Sequence, residues 1–579
     1  MPIPSLPFSA CGLAQRVNVA DRLTRIAQQM PEAIAVATPG RGDVAGQNSY
    51  ATCTFASLER DAAALARGLV ELGIRPGMKL VLLVRPGVQF VKLVFALLRS
   101  GATTVLIDPG MGRTHLVDCL AAVEPDGFVA ISPAQALRTL QRHRFPMAQT
   151  NVTIGRRWFW GGKSYEQLLR LGRRSQAELP ATNGDDAAAI IFTSGSTGPP
   201  KGVLYSHRMF DTQAAEIQRA YSIHPGGADL ACFPLFGLFN SAMGVTTVFP
   251  KMDFSRPASA DPRKLLAAAR DWQVTQAFAS PAVWKKLGRY CEQHGERIPT
   301  LRKVLSCGAP VPASVLRQTL ACVHPEAQMH TPYGATESLP ISTISAAEVL
   351  SETARATDAG AGICVGHKYD SIDWRIIRIT DEPIDSIDSA EELPVGEIGE
   401  LIVRGPQVST RYVTGPERHN QLSKIQDGDS VWHRLGDVGY FDEHERFWYC
   451  GRKAHRVDHR NGDLFTIPIE SVFNTLPNVQ RSALIGVGKA GYKQPVIVVE
   501  LETFNHLKCD GDELWTQWCR IEPRLETLWY GKLSFTDFPR ILVHRCLPTD
   551  VRHNSKINRE HLAEWAAKQL ANQTSQPLG

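Results

Sequence analysis

Residues 190–202 read Ile190-Ile191-Phe192-Thr193-Ser194-Gly195-Ser196-Thr197-Gly198-Pro199-Pro200-Lys201-Gly202. A short apolar run, the mark of a buried strand, passes directly into a loop of glycine and hydroxyl residues with one lysine. Glycines let backbone N–H groups approach an anion, hydroxyls add donors and the lysine supplies a point charge, so the loop is suited to wrapping phosphate. The spacing G-x-x-x-x-G-K-[ST] is absent, which separates this loop from the P-loop. A flexible Gly/Ser turn is the competing reading of the same residues.

The strand belongs to an alternating pattern. Asp21–Met30 has the periodicity of an amphipathic helix stopped by Pro31, and Ala33–Ala37 reads as a strand. Ser57–Leu72 carries apolar side chains at 58, 62, 65, 69 and 72, one face of a helix. The turn Gly73-Ile74-Arg75-Pro76-Gly77 and the strand-like run Leu80–Val84 follow. Val88–Leu98 is helical again and Thr103–Ile107 strand-like. Strands alternating with helices through short Gly/Pro turns predict right-handed βαβ units and mainly parallel sheet covered on both faces. The fold class is therefore α/β. Between Ile363 and Phe447 the chain changes character: Trp374–Ile379, Glu400–Val403 and Arg446–Cys450 are short β-rich segments broken by Pro and Gly, which predicts a β-rich subdomain. After Gly451-Arg452-Lys453 the remainder reads as a compact α/β unit of about 125 residues. We expect a large unit over 1–452 and a small one over 453–579, with the boundary near Ala454.

Bulk properties exclude several classes. With 579 residues the chain exceeds one compact core, which stops growing near roughly 250–300 residues. Apolar residues at 43% and charged residues at 21% are ordinary for a folded globular protein. Lys plus Arg number 63 against 58 for Asp plus Glu, a surplus too small and dispersed to predict a nucleic-acid partner. The 12 cysteines form no C-x-x-C pair, which favours reduced thiols, and cytoplasm is the expected compartment. The N-terminus lacks a basic segment followed by an apolar core, and no stretch approaches 18 uninterrupted apolar residues, so neither secretion nor a membrane span is expected.

Thr193–Gly202 resembles the phosphate loop of the acyl-adenylate-forming superfamily, which includes acyl-CoA ligases, luciferases and peptide-synthetase adenylation domains. Further segments resemble that family in its own order. Tyr333-Gly334-Ala335-Thr336-Glu337, which alone reads equally well as a surface loop, is similar to its second signature. The resemblance implies that Thr336 contacts phosphate, that Glu337 holds Mg²⁺ and that the Tyr333 ring lies against adenine; carboxylate oxygen is what such a hard cation wants. His433–Tyr440 resembles the ribose-binding segment, implying that Asp437 accepts hydrogen bonds from the ribose hydroxyls, although Gly-Asp-Val-Gly is also a common turn. Gly451-Arg452-Lys453 is similar to the family's hinge, where Arg452 also touches ribose and phosphate. His553–Arg559 stands where the family keeps its catalytic lysine, which makes Lys556 the candidate. Ser306-Cys307-Gly308-Ala309-Pro310 matches the loop beside adenine, so Gly308, Ala309 and Pro310 join the ATP site, with Cys307 read as a packing residue. The run holding Phe233, Phe236 and Phe239 falls where the family lines its acyl pocket, and reads equally as core packing. The implied architecture is a large N-terminal domain of mixed, mainly parallel sheets with a β-rich subdomain, plus a small mobile C-terminal α/β domain. The implied cofactors are ATP and Mg²⁺, and the implied substrate is a small-molecule acid.

Two positions depart from the usual acyl-CoA ligase: Ala454 replaces an aspartate or lysine after the hinge arginine, and Ser555 replaces the glycine before the last lysine. Both fall on the moving domain that builds the thioester-forming face. Phe233–Asn240, Cys450–Val457 and Val551–Ile557 resemble one branch in particular, the olefin β-lactone synthetases of long-chain hydrocarbon biosynthesis. That resemblance implies adenylation of a 2-alkyl-3-hydroxy fatty acid, closure of a β-lactone without CoA, and possible assembly with other enzymes of hydrocarbon biosynthesis. A long-chain acyl-CoA ligase and a non-catalytic nucleotide-binding scaffold stand as alternatives, separated by the product made with CoA and by pyrophosphate exchange.

Overall fold

The structure, a computed structural model, describes residues 17–44, 47–108, 111–193, 200–502, 540–549 and 557–574. Helix Phe55–Glu71 shows how the local sequence sets its elements. Thr54 caps it by accepting from the Ser57 N–H at 3.2 Å, Leu58, Ala62, Leu65 and Leu69 are fully buried, and the chain turns away at Gly73 with φ of 87°. Helix Val88–Arg99 is apolar nearly all round, and Phe90, Val91 and Leu93 through Leu98 are buried. Such a helix needs cover on every side.

Two large sheets provide it. The first has seven strands in the spatial order 163–164, 150–154, 127–131, 79–83, 103–106, 187–192, 202–206. All neighbours are parallel except the last pair, in which Ile191 faces Val203 across an antiparallel hairpin. The second has nine strands, and its centre (303–306, 276–279, 228–231, 246–248, 34–44) is parallel. Strand Ile34–Val44 lies between the distant strand Thr246–Val248, to which it is parallel, and its sequence neighbour Gln47–Thr54, to which it is antiparallel. A third, antiparallel sheet of six strands is built from residues 363–452, as the broken β pattern of that region predicts. One continuous apolar core, with members as distant as Val36, Leu80, Val203, Phe278 and Leu401, joins these layers.

Beyond residue 456 the residues have cores of their own. The sheet 479–487, 494–501, 540–543 buries Leu484, Ile497 and Val499 with Val457 and Phe473 on one face. On its other face Ala483, Ile485 and Val498 meet Leu562 and Ala566 of helix Arg559–Thr574. The connecting segment is pinned by charge: Lys453 Nζ lies 3.0 Å from the buried Glu400, and Arg456 pairs with Asp381 and Asp463. Among the described residues no cysteine is paired in a disulfide, and no helix is long and apolar enough to cross a membrane.

Candidate active site

Parallel strands in an α/β sheet present their carboxyl ends to one edge, and ligands bind there. Strand 187–192 ends at Thr193 on that edge, and the returning strand begins at Gly202, so the loop quoted above is the tip of a hairpin. Its base is closed by two bonds between Thr193 and Lys201, at 3.0 Å each, and by the Thr414 hydroxyl, which accepts from the Gly202 N–H at 2.8 Å. Ser194, Gly195, Ser196, Thr197 and Gly198 lie outside the described residues, as does Lys556. Ile557, next to that lysine, bridges Thr549, and both line the cleft described below.

The second segment forms a hairpin as well. Strand Gln328–Ala335 turns at Thr336-Glu337 into Ser338–Ser345. A Cβ at Gly334 would stand 2.6 Å from the Ser338 carbonyl oxygen, so only glycine permits the close turn. Tyr205 reaches across to donate to the Thr336 carbonyl at 2.5 Å. Tyr412 donates to Glu337 Oε1 at 2.5 Å, and Lys201 Nζ stands 5.1 Å from the Tyr412 ring. A second ammonium, Lys424 Nζ, is 5.3 Å from the same ring and donates to the Ser409 carbonyl. Burial pushes the Lys424 amine down to about 7, against the pull of Glu337. It holds Lys201 below its usual range too.

Asp437 and Arg452 face each other in adjacent antiparallel strands, and this register brings Arg452 Nε to 3.1 Å from Asp437 Oδ1. The Tyr333 hydroxyl donates to the other carboxylate oxygen, and Arg452 donates to the Leu435 carbonyl at 3.0 Å. The adjacent carboxylate raises the Arg452 guanidinium further, and burial raises the Tyr333 phenol well above its ordinary value. Gly308, Ala309 and Pro310 follow strand 303–306 on the other sheet's carboxyl edge. Phe233 and Phe236 are half-buried; Phe236 stacks on Phe278 at 3.6 Å, and Phe239 is buried against Phe210 at 6.3 Å. One continuous cleft of about 3710 Å³ is lined by Thr193, Lys201, the three phenylalanines, Gly308–Pro310, Tyr333–Glu337, Asp437 and Arg452. Among the described residues no three His, Cys, Asp or Glu side chains cluster as an all-protein metal cage. A lone carboxylate beside a phosphate loop suits Mg²⁺, which keeps its waters and takes one or two carboxylates plus phosphate oxygens.

Residues 23–413 match the family described as AMP-binding enzyme. The chain belongs to that family. Two curated relatives, the olefin beta-lactone synthetases of Xanthomonas campestris pv. campestris and Stenotrophomonas maltophilia, are each 42% identical to it. The first match covers 95% of this chain and 98% of the relative, the second 96% and 98%. Among solved structures, the amide bond synthetase McbA from Marinactinospora thermotolerans superimposes with a TM-score of 0.73 at 21% identity, over 95% of this chain and 99% of that one. This AMP-binding enzyme thus has the α/β architecture of the acyl-adenylate-forming enzymes.

Tyr412, Lys424 and Tyr205 at the site escaped the sequence reading. Lys424, in Leu422-Ser423-Lys424-Ile425-Gln426, looks like any solvated lysine, and only tertiary packing makes it 6% exposed. No local signal in the sequence marks it.

Proposed function

We propose that this enzyme adenylates a 2-alkyl-3-hydroxy long-chain fatty acid and then closes it to a β-lactone without using CoA. The observation that carries this reading is the 42% identity, over nearly the whole of each chain, to two olefin beta-lactone synthetases. In the first step a carboxylate oxygen attacks the α-phosphorus of ATP, the α–β phosphoanhydride bond breaks and pyrophosphate leaves. In the second the 3-hydroxyl oxygen attacks the acyl carbon, the bond to AMP breaks and the hydroxyl proton is released. A free carboxylate does not close a strained four-membered ring; the adenylate offers a leaving group, and holding hydroxyl and carbonyl together is worth up to roughly 7–11 kcal/mol.

Each side chain then takes a part. Thr193–Gly198, Lys201 and Thr336 hold the phosphates, and Lys556 meets charge developing at the α-phosphate. Glu337 holds Mg²⁺, which when bound neutralises phosphate charge, and Tyr412 fixes the carboxylate that receives it. Tyr333 and Gly308–Pro310 border adenine, while Asp437 accepts from the ribose diol with Arg452 beside it. Phe233, Phe236 and Phe239 supply an apolar wall that orients the chain and excludes water from the adenylate. Residues 453–579 act as the moving unit. The reactive lactone favours direct hand-over within an assembly of hydrocarbon-forming enzymes in the cytoplasm. Mass spectrometry and NMR of the product made from the hydroxy acid and ATP test the reading. A lactone with AMP and pyrophosphate, indifferent to CoA, is expected. A stoichiometric acyl-CoA and no lactone overturns it.

A further inference from the structure

The loop that follows strand Thr150–Ile154 exposes what a soluble surface normally hides. Trp158 is 59% and Phe159 80% exposed, side by side, whereas Trp160 between them and the sheet is buried and donates through Nε1 to Thr153 Oγ1 at 3.0 Å. Trp160 thus anchors the loop and turns its two neighbours outward. Positive φ at Gly155, Gly161 and Gly162 (89°, 71° and 73°) makes the bends on either side. The flanking Arg156, Arg157 and Lys163 are exposed, and among the described residues none of the three takes part in an ion pair. Between Ser132 and Arg174 the chain carries nine Lys or Arg residues and one acidic residue, Glu166, in a molecule whose whole net charge is +5. Arg156 lies over the Trp158 ring at 5.8 Å and Arg157 donates to the Gly162 carbonyl at 2.6 Å, so both stay with the loop without a carboxylate to neutralise them. A pair of exposed aromatic rings among such cations is the composition of a protein surface that sits in the headgroup layer of an anionic bilayer.

Its position strengthens the case. Strands 79–83, 103–106, 127–131, 150–154 and 187–192 run parallel, so the aromatic loop leaves the same sheet edge as the phosphate loop. The cleft follows that edge through Ile107, Ile131 and Leu137 as far as Leu140, which is 79% exposed. Leu137 and Leu140 lie on helix Ser132–Leu140, and Arg138 of that helix donates to the Trp160 carbonyl at 3.4 Å, joining the end of the cleft to the base of the loop. We propose that residues 155–163 dock the enzyme on an anionic phospholipid surface, with Trp158 and Phe159 in the interfacial layer and Arg156, Arg157 and Lys163 on the headgroups, setting one end of the cleft beside the bilayer. The value of such docking, access to a water-insoluble two-chain acid, rests on the lactone reading above; the docking itself does not. A duplex nucleic acid would use the cations but leave both rings in water.

The test is flotation of the full-length enzyme, without substrate, with vesicles of phosphatidylcholine alone or mixed with phosphatidylglycerol. We expect flotation with the anionic vesicles only, released by raising salt because the Debye length shrinks from about 10 Å to about 3 Å between 0.1 and 1 M. Trp158→Ser/Phe159→Ser and Arg156→Glu/Arg157→Glu should each weaken partitioning by more than about tenfold, with pyrophosphate exchange and melting temperature near those of the parent. No flotation with anionic vesicles overturns the proposal, as does flotation of both double variants equal to the parent. Retardation of duplex DNA or RNA in place of vesicle binding overturns it in favour of nucleic acid. A CoA-thioester product would sink the lactone reading and leave this result untouched, and the reverse holds for failed flotation.

Discussion

The two ends of the cleft, proposed above to take the ribose and the phosphates, are built on opposite electrostatic plans. At the ribose end one carboxylate, Asp437, meets one guanidinium, Arg452, in register across two strands, with Tyr333 completing the network. Charge there is balanced before any ligand arrives. At the phosphate end two ammonium groups, Lys201 and Lys424, flank the ring of Tyr412, and one carboxylate, Glu337, serves both. Burial drives both lysines below their ordinary range, a standing cost that a polyphosphate anion would relieve. With the roles proposed above, binding and turnover divide along the cleft: the balanced end would fix the nucleoside, and the cation-rich end would meet the charges that move during reaction.

The largest expected effect tests the turnover side of that division. Lys556→Ala should slow adenylate formation by on the order of 10²–10³ while leaving ATP binding nearly intact, because a donor aimed at developing charge acts in the transition state. Pyrophosphate exchange within a few-fold of the parent would remove Lys556 from the mechanism and break the division. Asp437→Asn probes the balanced end and should do the reverse. It should raise the KM for ATP by roughly 10-fold or more with kcat little changed, since a hydrogen bond to a charged group contributes about 1.5–3 kcal/mol. An equal fall in kcat and kcat/KM would show that the two ends are not separable.

Glu337→Gln lies at the join. An amide oxygen ligates a hard cation less well than a carboxylate, so the Mg²⁺ concentration for half-maximal turnover should rise about tenfold. An unchanged Mg²⁺ titration would mean that Glu337 serves only to hold Tyr412.

How much of this was legible beforehand differs between the same two ends. Thr193 and Lys201 stand in a loop whose residue types suit phosphate, whereas Tyr333, Glu337, Asp437 and Arg452 were picked out by resemblance to the family's motifs; the structure brings all six to one cleft. The helices read as Ser57–Leu72 and Val88–Leu98 are found over Phe55–Glu71 and Val88–Arg99, because the apolar pattern that marks them is a local property. The pairing of strand 34–44 with 246–248 was not legible, because it joins segments some two hundred residues apart through backbone bonds that carry no sequence signature. Lys424 and Tyr412 were missed for a related reason. Their meaning lies in what packs over them, and the second lysine of the phosphate end is visible only once residues 409–424 fold against 337.

That second lysine yields the smallest prediction, and the one most specific to the contrast. In the folded protein the Lys424 amine is pushed down to about 7, from an ordinary value of 10.5, by burial. Between these two values the unfolded chain holds a proton that the folded chain has lost, so stability rises with pH across that window; below about 7 the folded state carries the charge and bears the whole penalty. Lys424→Met keeps the buried volume and removes the titration. The variant should therefore gain most over the parent near pH 6, with the gain shrinking steadily toward pH 10. Melting temperatures of both proteins, measured without nucleotide at matched pH and salt, read this difference directly. With ATP and Mg²⁺ present the added phosphate charge should favour the protonated amine and flatten the parent's curve. A constant offset between parent and variant from pH 6 to pH 10 would show that burial leaves the Lys424 amine at its ordinary value, and that the two ends of the cleft are closer in electrostatic design than their geometry implies.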